Sequence, residues 1–597
     1  MNSSAADKVV RIGGASGFWG DSSLGPVQLV RAGGIDYLVF DYLAELTMSI
    51  LAGARMKRPD EGYATDFVTV TLRSVLKQAM EKRIRIVSNA GGVNPKGCAA
   101  AVQALADELG VKVRIAVVQG DDVLPLASAM RASGTVEMSG GAPLPERLVT
   151  ANAYLGALPV AQALQAGADI VITGRCVDSA VTLGVLMHEF GWAPGDFDRL
   201  AAGSLAGHII ECGCQATGGL FTDWATVPDW ANIGYPIIEC HADGSFVVTK
   251  PAGTGGLVTP ATVGEQLLYE IGDPASYLLP DVTCDFRQVR MEQAGSNRVR
   301  VTSARGRPPT GTYKVSATAA AGFKTSGQLT IVGIDAPAKA RRTAEALLER
   351  GRRLLQESGF ADFLATRIEL LGTESAYGPH ARPLSTREVV LRLTVTHADK
   401  RALEMFSREF AAPGTSWSPG TTGAGGRPSV SPVLRQVAWL IPKEQVVPTV
   451  TLDATTFEVA LPPAQQPVAP EPLPRSESTL PKGPRLTVPL VQIAFGRSGD
   501  KGDTSNIGLM ARRPALRAVI EEQVTPERVQ AYLGHLVHGP VHRYELPGIH
   551  AINLVCERAL GGGGMASLRN DALGKGMAQM LLDMPVEVPA SLLQDLA

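Results

Sequence analysis

Residues 83–119, RIRIVSNAGGVNPKGCAAAVQALADELGVKVRIAVVQ, contain the pattern that decides the fold. An apolar, strand-like run ends in a turn of Asn, Gly and Pro, and an amphipathic helix and a second apolar run follow it. The same alternation extends on both sides, from VVRIGGASG at residue 9 to ADIVITGRCVDSA at residue 168. Apolar strands that alternate with helices predict a parallel sheet covered by helices on both faces.

The sequence pattern changes along the chain and predicts four segments. Residues 1–225 form an α/β domain with a mainly parallel, doubly wound sheet. Residues 226–460 are rich in strands and tight turns with helices between them, which predicts an α+β domain. A Pro-rich linker spans residues 461–484, and residues 485–597 form a small C-terminal α+β domain.

Composition excludes several classes of protein. The 597 residues carry 56 Lys and Arg against 58 Asp and Glu, so a strongly basic nucleic-acid-binding domain is not expected. No run approaches the roughly 18 apolar residues of a membrane-spanning helix, and the N-terminus has no signal-peptide apolar stretch. We therefore expect a cytoplasmic protein with neither a nucleic-acid nor a membrane partner.

The turns that follow the predicted parallel strands carry the candidate site, because ligands of open α/β sheets bind at that edge. These turns are 13–17, 41–45, 88–95 and 173–178. Asp178 and Asp41 are candidate proton carriers, and Asn89 is a candidate for polarising a carbonyl group. The candidate substrate-binding residues are Gly14, Ser16, Gly91, Gly92, Asn94, Lys96 and Arg175. A tight βα turn is the alternative for 13–17, and a structural ion pair is the alternative for Arg175 and Asp178.

Two further glycine-rich segments, 414–432 and 496–505, suit anions because their backbone N–H groups and cationic side chains lie close together. The candidate residues are Thr421, Thr422 and Arg427 in the first, and Arg497, Asp500, Lys501 and Asp503 in the second. A surface loop is the alternative for the first segment. An interface anchor is the alternative for the second, which the sequence predicts to be a turn.

Several familiar site types are missing from the sequence. The glycines after the first strand do not have the spacing of a dinucleotide-binding fingerprint, 414–432 has no Walker lysine, and neither a G-x-S-x-G elbow nor a zincin motif occurs. His208, Cys212 and Cys214 form H-x3-C-x-C, but this spacing is wrong for the usual zinc sites. We assign no metal and no tightly bound cofactor.

Several blocks of sequence together resemble the acyclic terpene utilization AtuA family. They include VRIGGASGFWGDS, IVSNAGGVNPKGCA, ADIVITGRCVDSA, ECGCQATGG and FGRSGDKGDTSNIGL. The resemblance covers most of the chain, as a large domain to about residue 455 and a terminal ferredoxin-like domain. It implies a role in the catabolism of acyclic terpenes such as citronellol and geraniol, or of related branched acyl-CoA compounds. It implies no residue roles.

The leading hypothesis is a hydratase or lyase that acts on a branched or unsaturated acyl-CoA. Such chemistry needs an acid, a base and a stabiliser of the enolate, and coenzyme A enters only as part of the substrate. Arg175 or Arg427 then holds an anionic end of the substrate. The alternative is a non-catalytic acyl-CoA-binding or assembly subunit that works with a carboxylase. We also expect a homo-oligomer, since symmetric assembly is common.

Overall fold

The computed structural model describes residues 8–382, 385–473, 480–564 and 566–593. The predicted segments therefore extend beyond the described residues at 1–7, 474–479, 565 and 594–597. Within the described ranges, every helix is too short or too polar to cross a membrane.

Strands and helices alternate in the first half of the chain, and strands dominate after it. The strands are β1 Val9–Gly14, β2 Tyr37–Phe40, β3 Arg85–Ser88, β4 Ile115–Gln119, β5 Leu148–Ala153, β6 Ile170–Thr173, β7 Ile237–His241, β8 Phe246–Thr249, β9 Tyr277–Leu278, β10 Thr283–Asp285, β11 Arg290–Gly295, β12 Arg298–Thr302, β13 Arg305–Arg307, β14 Thr312–Val332, β15 Ala365–Leu371, β16 Glu388–His397, β17 Thr421–Ala424, β18 Val430–Pro442, β19 Thr449–Leu452, β20 Thr455–Glu458, β21 Arg485–Pro489, β22 Ala494–Lys501, β23 Thr504–Ala511, β24 Val541–Leu546, β25 Ala551–Cys556 and β26 Pro585–Pro589. The α-helices are α1 Leu24–Ala32, α2 Glu45–Lys57, α3 Arg73–Glu81, α4 Pro95–Glu108, α5 Ala127–Ala132, α6 Leu158–Gln165, α7 Ala180–Phe190, α8 Phe197–Ile210, α9 Pro260–Leu267, α10 Ala336–Glu357, α11 Lys400–Phe406, α12 Pro413–Ser416, α13 Arg517–Gln523, α14 Pro526–Tyr532, α15 Met577–Leu581 and α16 Ala590–Leu593.

The largest sheet has a parallel centre and antiparallel edges. Its strand order is β11-β12-β8-β7-β1-β2-β3-β6-β4-β19-β20. The five strands β1, β2, β3, β6 and β4 pair in parallel. Strands from beyond residue 226 extend both edges in antiparallel pairing, so residues on either side of 225 share one sheet.

Alternate side chains of the parallel strands enter two different cores, as the pleat of a strand requires. Ile86 packs with helices α1, α3 and α4 on one face, and its neighbour Val87 packs with α6, α7 and α8 on the other. Full burial of one such side chain contributes about 1.5–3 kcal/mol. The predicted doubly wound sheet is confirmed, and its parallel strands place four turns at one edge.

The second sheet is antiparallel and is organised by the long strand β14. Strands β16, β17, β18 and β5 all pair with it, and β15 pairs with β16. Helices α10 and α11 pack on this sheet. Because β5 joins it from the first half of the chain, the two sheets are connected next to the parallel strands.

The C-terminal segment folds around the antiparallel sheet β22-β23-β25-β24, with its own apolar core. The prediction of a turn at 496–505 is wrong, because β22 and β23 run through these residues and turn only at Gly502 and Asp503. The glycines of these strands allow close docking instead. A Cβ atom at Gly508 would lie 2.3 Å from Cβ of Leu268.

Much of the predicted linker lies along the surface of the preceding domain. Leu461 packs against the main core, and residues 462–465 line a cleft there. Arg307 Nε donates to the Val468 carbonyl at 3.0 Å, and Arg287 Nη2 donates to the Glu471 carbonyl at 2.8 Å. These contacts hold the extended segment in place as far as residue 471.

Candidate active site

Asp41 is held by the turns that follow three neighbouring parallel strands. The Asn89 amide donates to the Asp41 carboxyl, and Asn89 Oδ1 accepts from the Tyr42 N–H at 2.7 Å. Ser16 Oγ donates to the Asp41 carbonyl at 3.1 Å. Asn89 is fully buried and Asp41 nearly so. Asn89 therefore orients the Asp41 carboxyl through its amide nitrogen, while its amide oxygen accepts from the backbone.

The surroundings of Asp41 favour its neutral, protonated form. Burial raises the pKa of Asp41 well above its ordinary value, and the nearby negative charge of Asp178 raises it further. The Arg175 guanidinium and the Asn89 hydrogen bond oppose the shift without cancelling it. A carboxyl group that retains its proton in a polar pocket can serve as a general acid.

Arg175 and Asp178 form an ion pair in the turn between β6 and α7. Arg175 Nη1 donates to Asp178 Oδ1 at 2.9 Å and to the Cys176 carbonyl at 2.9 Å. The guanidinium lies 4.1 Å from the ring centre of Tyr154 and is buried, whereas the Asp178 side chain is 27% exposed. The ion pair therefore presents a carboxylate that solvent or a ligand can reach.

Asp121, which sequence analysis missed, fixes the backbone of this turn. Asp121 Oδ2 accepts from the Arg175 N–H at 2.9 Å and from Asn152 Nδ2 at 2.8 Å. Burial raises the pKa of Asp121 to about 6. The signal was available in the sequence, because Asp121 follows β4 just as Asp41 follows β2.

Helix α8 contributes His208, and Glu211 follows its last residue; sequence analysis did not assign either residue to this site. His208 Nδ1 lies 2.9 Å from Glu211 Oε1, and Nε2 lies 3.2 Å from the Leu267 carbonyl. Both ring nitrogens of His208 thus have hydrogen-bond partners, and neither partner is Cys212 or Cys214. Among the described residues, no group of three or more His, Cys, Asp or Glu side chains has the arrangement of a metal site.

Three carboxyl groups, which follow β2, precede α7 and follow α8, line one small pocket with an empty volume of about 180 Å³ including space open to solvent. Its lining residues are Ser16, Val39, Asp41, Asp178, Val181, Thr182, Gly207, Ile210 and Glu211. The pocket lies at the edge of the sheet where the sequence places the site. The space between its side chains is too small for a water molecule, so a reacting group and a water can enter only when the lining moves apart.

Glycines let α8 approach this edge. A Cβ atom at Gly14 would lie 2.4 Å from the Ile210 carbonyl oxygen, and one at Gly207 would lie 2.8 Å from Ser179 Cα. Both contacts involve backbone that cannot move aside by rotating a side chain. Gly14, predicted as a ligand contact, therefore packs against the end of α8 and so sets the distance between Asp41 and Glu211.

We expect Gly14→Ala to destabilise the protein by about 1–3 kcal/mol, because the added methyl group overpacks the contact with Ile210. Gly53→Ala is the matched control, since Gly53 lies inside α2 with no atom within 4 Å of its added Cβ. Alanine there should stabilise by about 0.5–1 kcal/mol. Denaturant unfolding of both variants checks the opposite signs, and equal effects would contradict the packing argument.

The remaining predicted residues of the 89–97 turn shape the backbone. Asn94 caps α4 by accepting from the Gly97 N–H at 3.1 Å and donates to the Glu61 carbonyl at 2.8 Å. Gly92 N–H donates to the Asn89 carbonyl at 3.3 Å, and a Cβ atom at Gly91 would lie 2.5 Å from the Thr173 carbonyl oxygen. Lys96 is exposed on α4.

Thr421, Thr422 and Arg427 belong to the second sheet. The two threonines lie in β17 and pair with β14. Arg427 donates to Ser407 Oγ at 2.9 Å and to the Glu404 carbonyl at 2.6 Å. In the described part of the chain, no hydrogen bond or ion pair links these residues to Asp41 or Asp178.

The charged residues of β22 lie where the C-terminal domain docks. Arg497 is buried and donates to Glu265 Oε2 at 2.8 Å, to Gln215 and to the Gly219 carbonyl. Lys501 pairs with Glu270 at 2.7 Å. The contacts of Arg497 are therefore those of an interface anchor between the C-terminal domain and the rest of the chain.

Two further predicted residues belong to the same hairpin. Asp503 accepts from the N–H groups of Leu560 and Gly562, at 3.1 and 2.8 Å, and Asp500 faces Ser505 in the ladder. Lys501 is near enough to α8 that its positive charge acts to lower the pKa of Glu211. The first hairpin of the C-terminal domain therefore stands beside the carboxyl pocket.

Two asparagines strengthen this docking. Asn506 accepts from the Glu270 N–H at 2.9 Å and donates to the Leu268 carbonyl at 2.6 Å. Asn553 Nδ2 donates to the Ile271 carbonyl at 2.9 Å. Both side chains are buried, so hydrogen bonds to the backbone of 268–272 fix the register between the domains.

A second, larger cleft lies along α6 and the start of the Pro-rich segment, with an empty volume of about 1120 Å³ including space open to solvent. Prolines and other apolar side chains form most of its lining. Its charged members include Lys443, which donates to the Pro280 carbonyl at 2.7 Å, and Asp281, which accepts from the Ala157 N–H at 2.8 Å. This cleft has space for a ligand, and the carboxyl group of Glu444 also lines it.

The raised pKa of Asp41 predicts how stability depends on pH. The unfolded chain releases this proton near pH 4, whereas the native protein retains it to higher pH. Native stability therefore falls between those two pKa values, by up to about 1.4 kcal/mol per pH unit. We expect Asp41→Asn to raise the thermal midpoint at pH 7.5 relative to the parent, and to give no such gain at pH 4. The exposed Asp107→Asn is the control, and a gain that does not change with pH would contradict the assignment.

The fold and the pocket define an α/β protein with an acidic pocket at the carboxyl edge of its parallel strands and a docked C-terminal α+β domain. The family model for the acyclic terpene utilisation family protein AtuA matches residues 10–452. The model for the AtuA ferredoxin-like domain matches residues 488–587. The chain therefore belongs to the acyclic terpene utilisation AtuA family, as its sequence blocks indicated. Searches of curated proteins and of solved structures found no match.

Proposed function

We propose that this protein is a hydratase or lyase that acts on branched acyl-CoA thioesters in acyclic terpene catabolism. One observation carries the proposal: Asp41 and Asp178 line the same pocket in opposite environments. Burial favours the protonated form of Asp41, while Arg175 pairs with the carboxylate of Asp178. Two carboxyl groups whose surroundings differ in this way suit the roles of general acid and general base.

The proposed reaction adds water to an α,β-unsaturated thioester, or removes it in reverse. Asp178 takes a proton from water as the water oxygen forms a bond to Cβ of the substrate. The electron pair of the double bond moves to form the enolate, and its Cα then takes the proton of Asp41. A proton returns from Asp178 to Asp41 through solvent, so the enzyme is unchanged after each turnover.

Other residues position these two groups. Asn89 orients Asp41, and Arg175 holds Asp178. The Gly92 N–H is used within its own turn, so the proposal assigns it no substrate contact. Coenzyme A is part of the substrate, and in this proposal the pocket opens to take only the reacting end of the acyl group. We propose the exposed Lys501, whose charge acts on Glu211, for contact with an anionic part of that substrate.

The test incubates the purified full chain with geranyl-CoA or another branched, unsaturated acyl-CoA and follows products by chromatography and mass. We expect a product heavier by one water, and the reverse loss of water from a 3-hydroxyacyl-CoA. Binding of the thioester without any change in mass would contradict the proposal. The native mass of the chain in the same buffer tests the proposed homo-oligomer.

The small volume of the carboxyl pocket favours a second candidate, a non-catalytic acyl-CoA-binding or assembly subunit that works with a carboxylase. In that case Arg175 and Asp178 form only a structural ion pair. The expected result is then tight acyl-CoA binding and no product from this chain alone, with faster turnover by the partner enzyme when the chain is added.

A further inference from the structure

The surroundings of His208 determine where its protons lie. His208 is buried on α8, between Glu211, which follows this helix, and the Leu267 carbonyl at the end of α9. A carbonyl oxygen can only accept a hydrogen bond, so Nε2 must carry a hydrogen. The other nitrogen, Nδ1, faces a carboxyl oxygen at 2.9 Å, and one proton must lie between these two atoms.

Burial and the charges on the surrounding elements act on the pKa values of both members of this pair. Burial acts to lower the pKa of His208, but Glu211 and the hydrogen bond to Leu267 more than offset it, and the net pKa is raised. Burial raises the pKa of Glu211, and Asp178, just before α7, adds to this rise, whereas His208 opposes it without cancelling it. The positive charge of Lys501 lowers both pKa values, and the ring of Tyr277 lies 6.1 Å from that of His208.

Glu211 also lines the pocket that contains Asp41 and Asp178, so its charge acts on the proposed reaction. We propose that His208 is a buried imidazolium at neutral pH, paired with Glu211, and that this pair holds an exchangeable proton at the pocket wall. The proton moves from Nδ1 to Glu211 Oε1, which leaves a neutral imidazole with hydrogen on Nε2 and a neutral carboxyl. His208 is therefore a positioning residue that acts through Glu211. The role in turnover rests on the proposed function, whereas the protonation of the pair does not.

Nitrogen NMR of the full chain with ¹⁵N-labelled histidine tests the protonation directly. The His208 signals are assigned by their loss in His208→Gln. At pH 7 we expect both His208 nitrogens to be protonated in the parent protein, and only Nε2 to be protonated in Glu211→Gln. Glu557→Gln is the matched control, because it removes the partner of the exposed His542 and should leave the His208 signals unchanged. An unprotonated Nδ1 in the parent at pH 7 would overturn the proposal.

The pH dependence of stability tests the protonation of His208 even if Glu211→Gln fails to fold. The native pKa of His208 is raised above its unfolded value of about 6.5, so the pair stabilises the protein fully below that pH and less as pH rises through the native pKa. We expect the loss of thermal midpoint in His208→Gln to be larger at pH 6 than at pH 9. A loss that is constant or grows with pH would contradict the imidazolium. Both measurements need no substrate, so their failure is distinct from a failure of the proposed function.

Discussion

Asp178→Asn and Asp41→Asn are each expected to lower turnover of the acyl-CoA substrate by about 100- to 10,000-fold, the usual contribution of a general acid or base. Asparagine has nearly the same shape as aspartate but can neither take the proton from water nor return one to the substrate. We expect the effect in kcat more than in KM, because both groups act on the reacting atoms. Asp107→Asn, on the exposed face of α4, is the control and should retain parental turnover.

The stability of the two variants separates loss of chemistry from loss of fold. Burial disfavours the charged form of Asp41, and Asp41→Asn removes this ionisable group. The variant should therefore be at least as stable as the parent at pH 7.5. Asp178→Asn leaves the buried Arg175 without its carboxylate partner and should be less stable. If activity falls only in the less stable variant, the acid–base roles are wrong.

Arg497→Met is expected to destabilise the docked C-terminal domain by about 3–5 kcal/mol, because it leaves Glu265 as a buried charge without its partner. The side chains of Arg497 and Glu265 are 5% and 0% exposed, and their atoms lie 2.8 Å apart. Denaturant unfolding measures the loss of stability, and the rate of proteolysis between the domains reports whether the C-terminal domain still docks. The double variant Arg497→Met with Glu265→Gln should recover part of it, since no buried charge then remains.

Arg485→Met is the matched control for this prediction. Arg485 donates to both oxygens of Glu522, at 2.9 and 3.2 Å, in the same domain, but these side chains are 35% and 41% exposed. Surface ion pairs contribute about 0–1 kcal/mol, so the loss should be small. Equal losses in Arg485→Met and Arg497→Met would contradict the role of the Arg497 pair in docking.

The parallel strands and their polar ends could be predicted because these signals are local in sequence. Each apolar run is followed directly by the residues that form its turn, and parallel strands bring those turns to one edge. This reasoning led to Asp41, Asn89, Arg175 and Asp178, which the structure joins by hydrogen bonds, an ion pair and a shared pocket. The Asp121 carboxyl could have been found in the same way.

His208 and Glu211 could not be assigned to the pocket from sequence, because a contact between distant segments brings them there. The end of α8 reaches the edge of the sheet only where Gly14 leaves room for the Ile210 carbonyl. A glycine that is needed for close packing looks the same in the sequence as a glycine in a flexible loop.

The same ambiguity explains why the prediction of a turn at 496–505 is wrong. Gly499 allows β22 to dock on Tyr269, and Gly508, just beyond this segment, allows β23 to dock on Leu268, at distances that no Cβ atom would permit. A single sequence does not show whether a glycine serves a turn, a ligand or a close backbone contact. The charged residues of β22 therefore suggested a ligand site, although Arg497 is engaged between domains.

A crystal structure of the full chain with an unreactive branched acyl-CoA analogue is the most direct test of the central claim. We expect the thioester end of the analogue to lie between the carboxyl groups of Asp41 and Asp178. Density for the acyl group in the proline-lined cleft beside Lys443 and Asp281, with the carboxyl pocket unchanged, would contradict it.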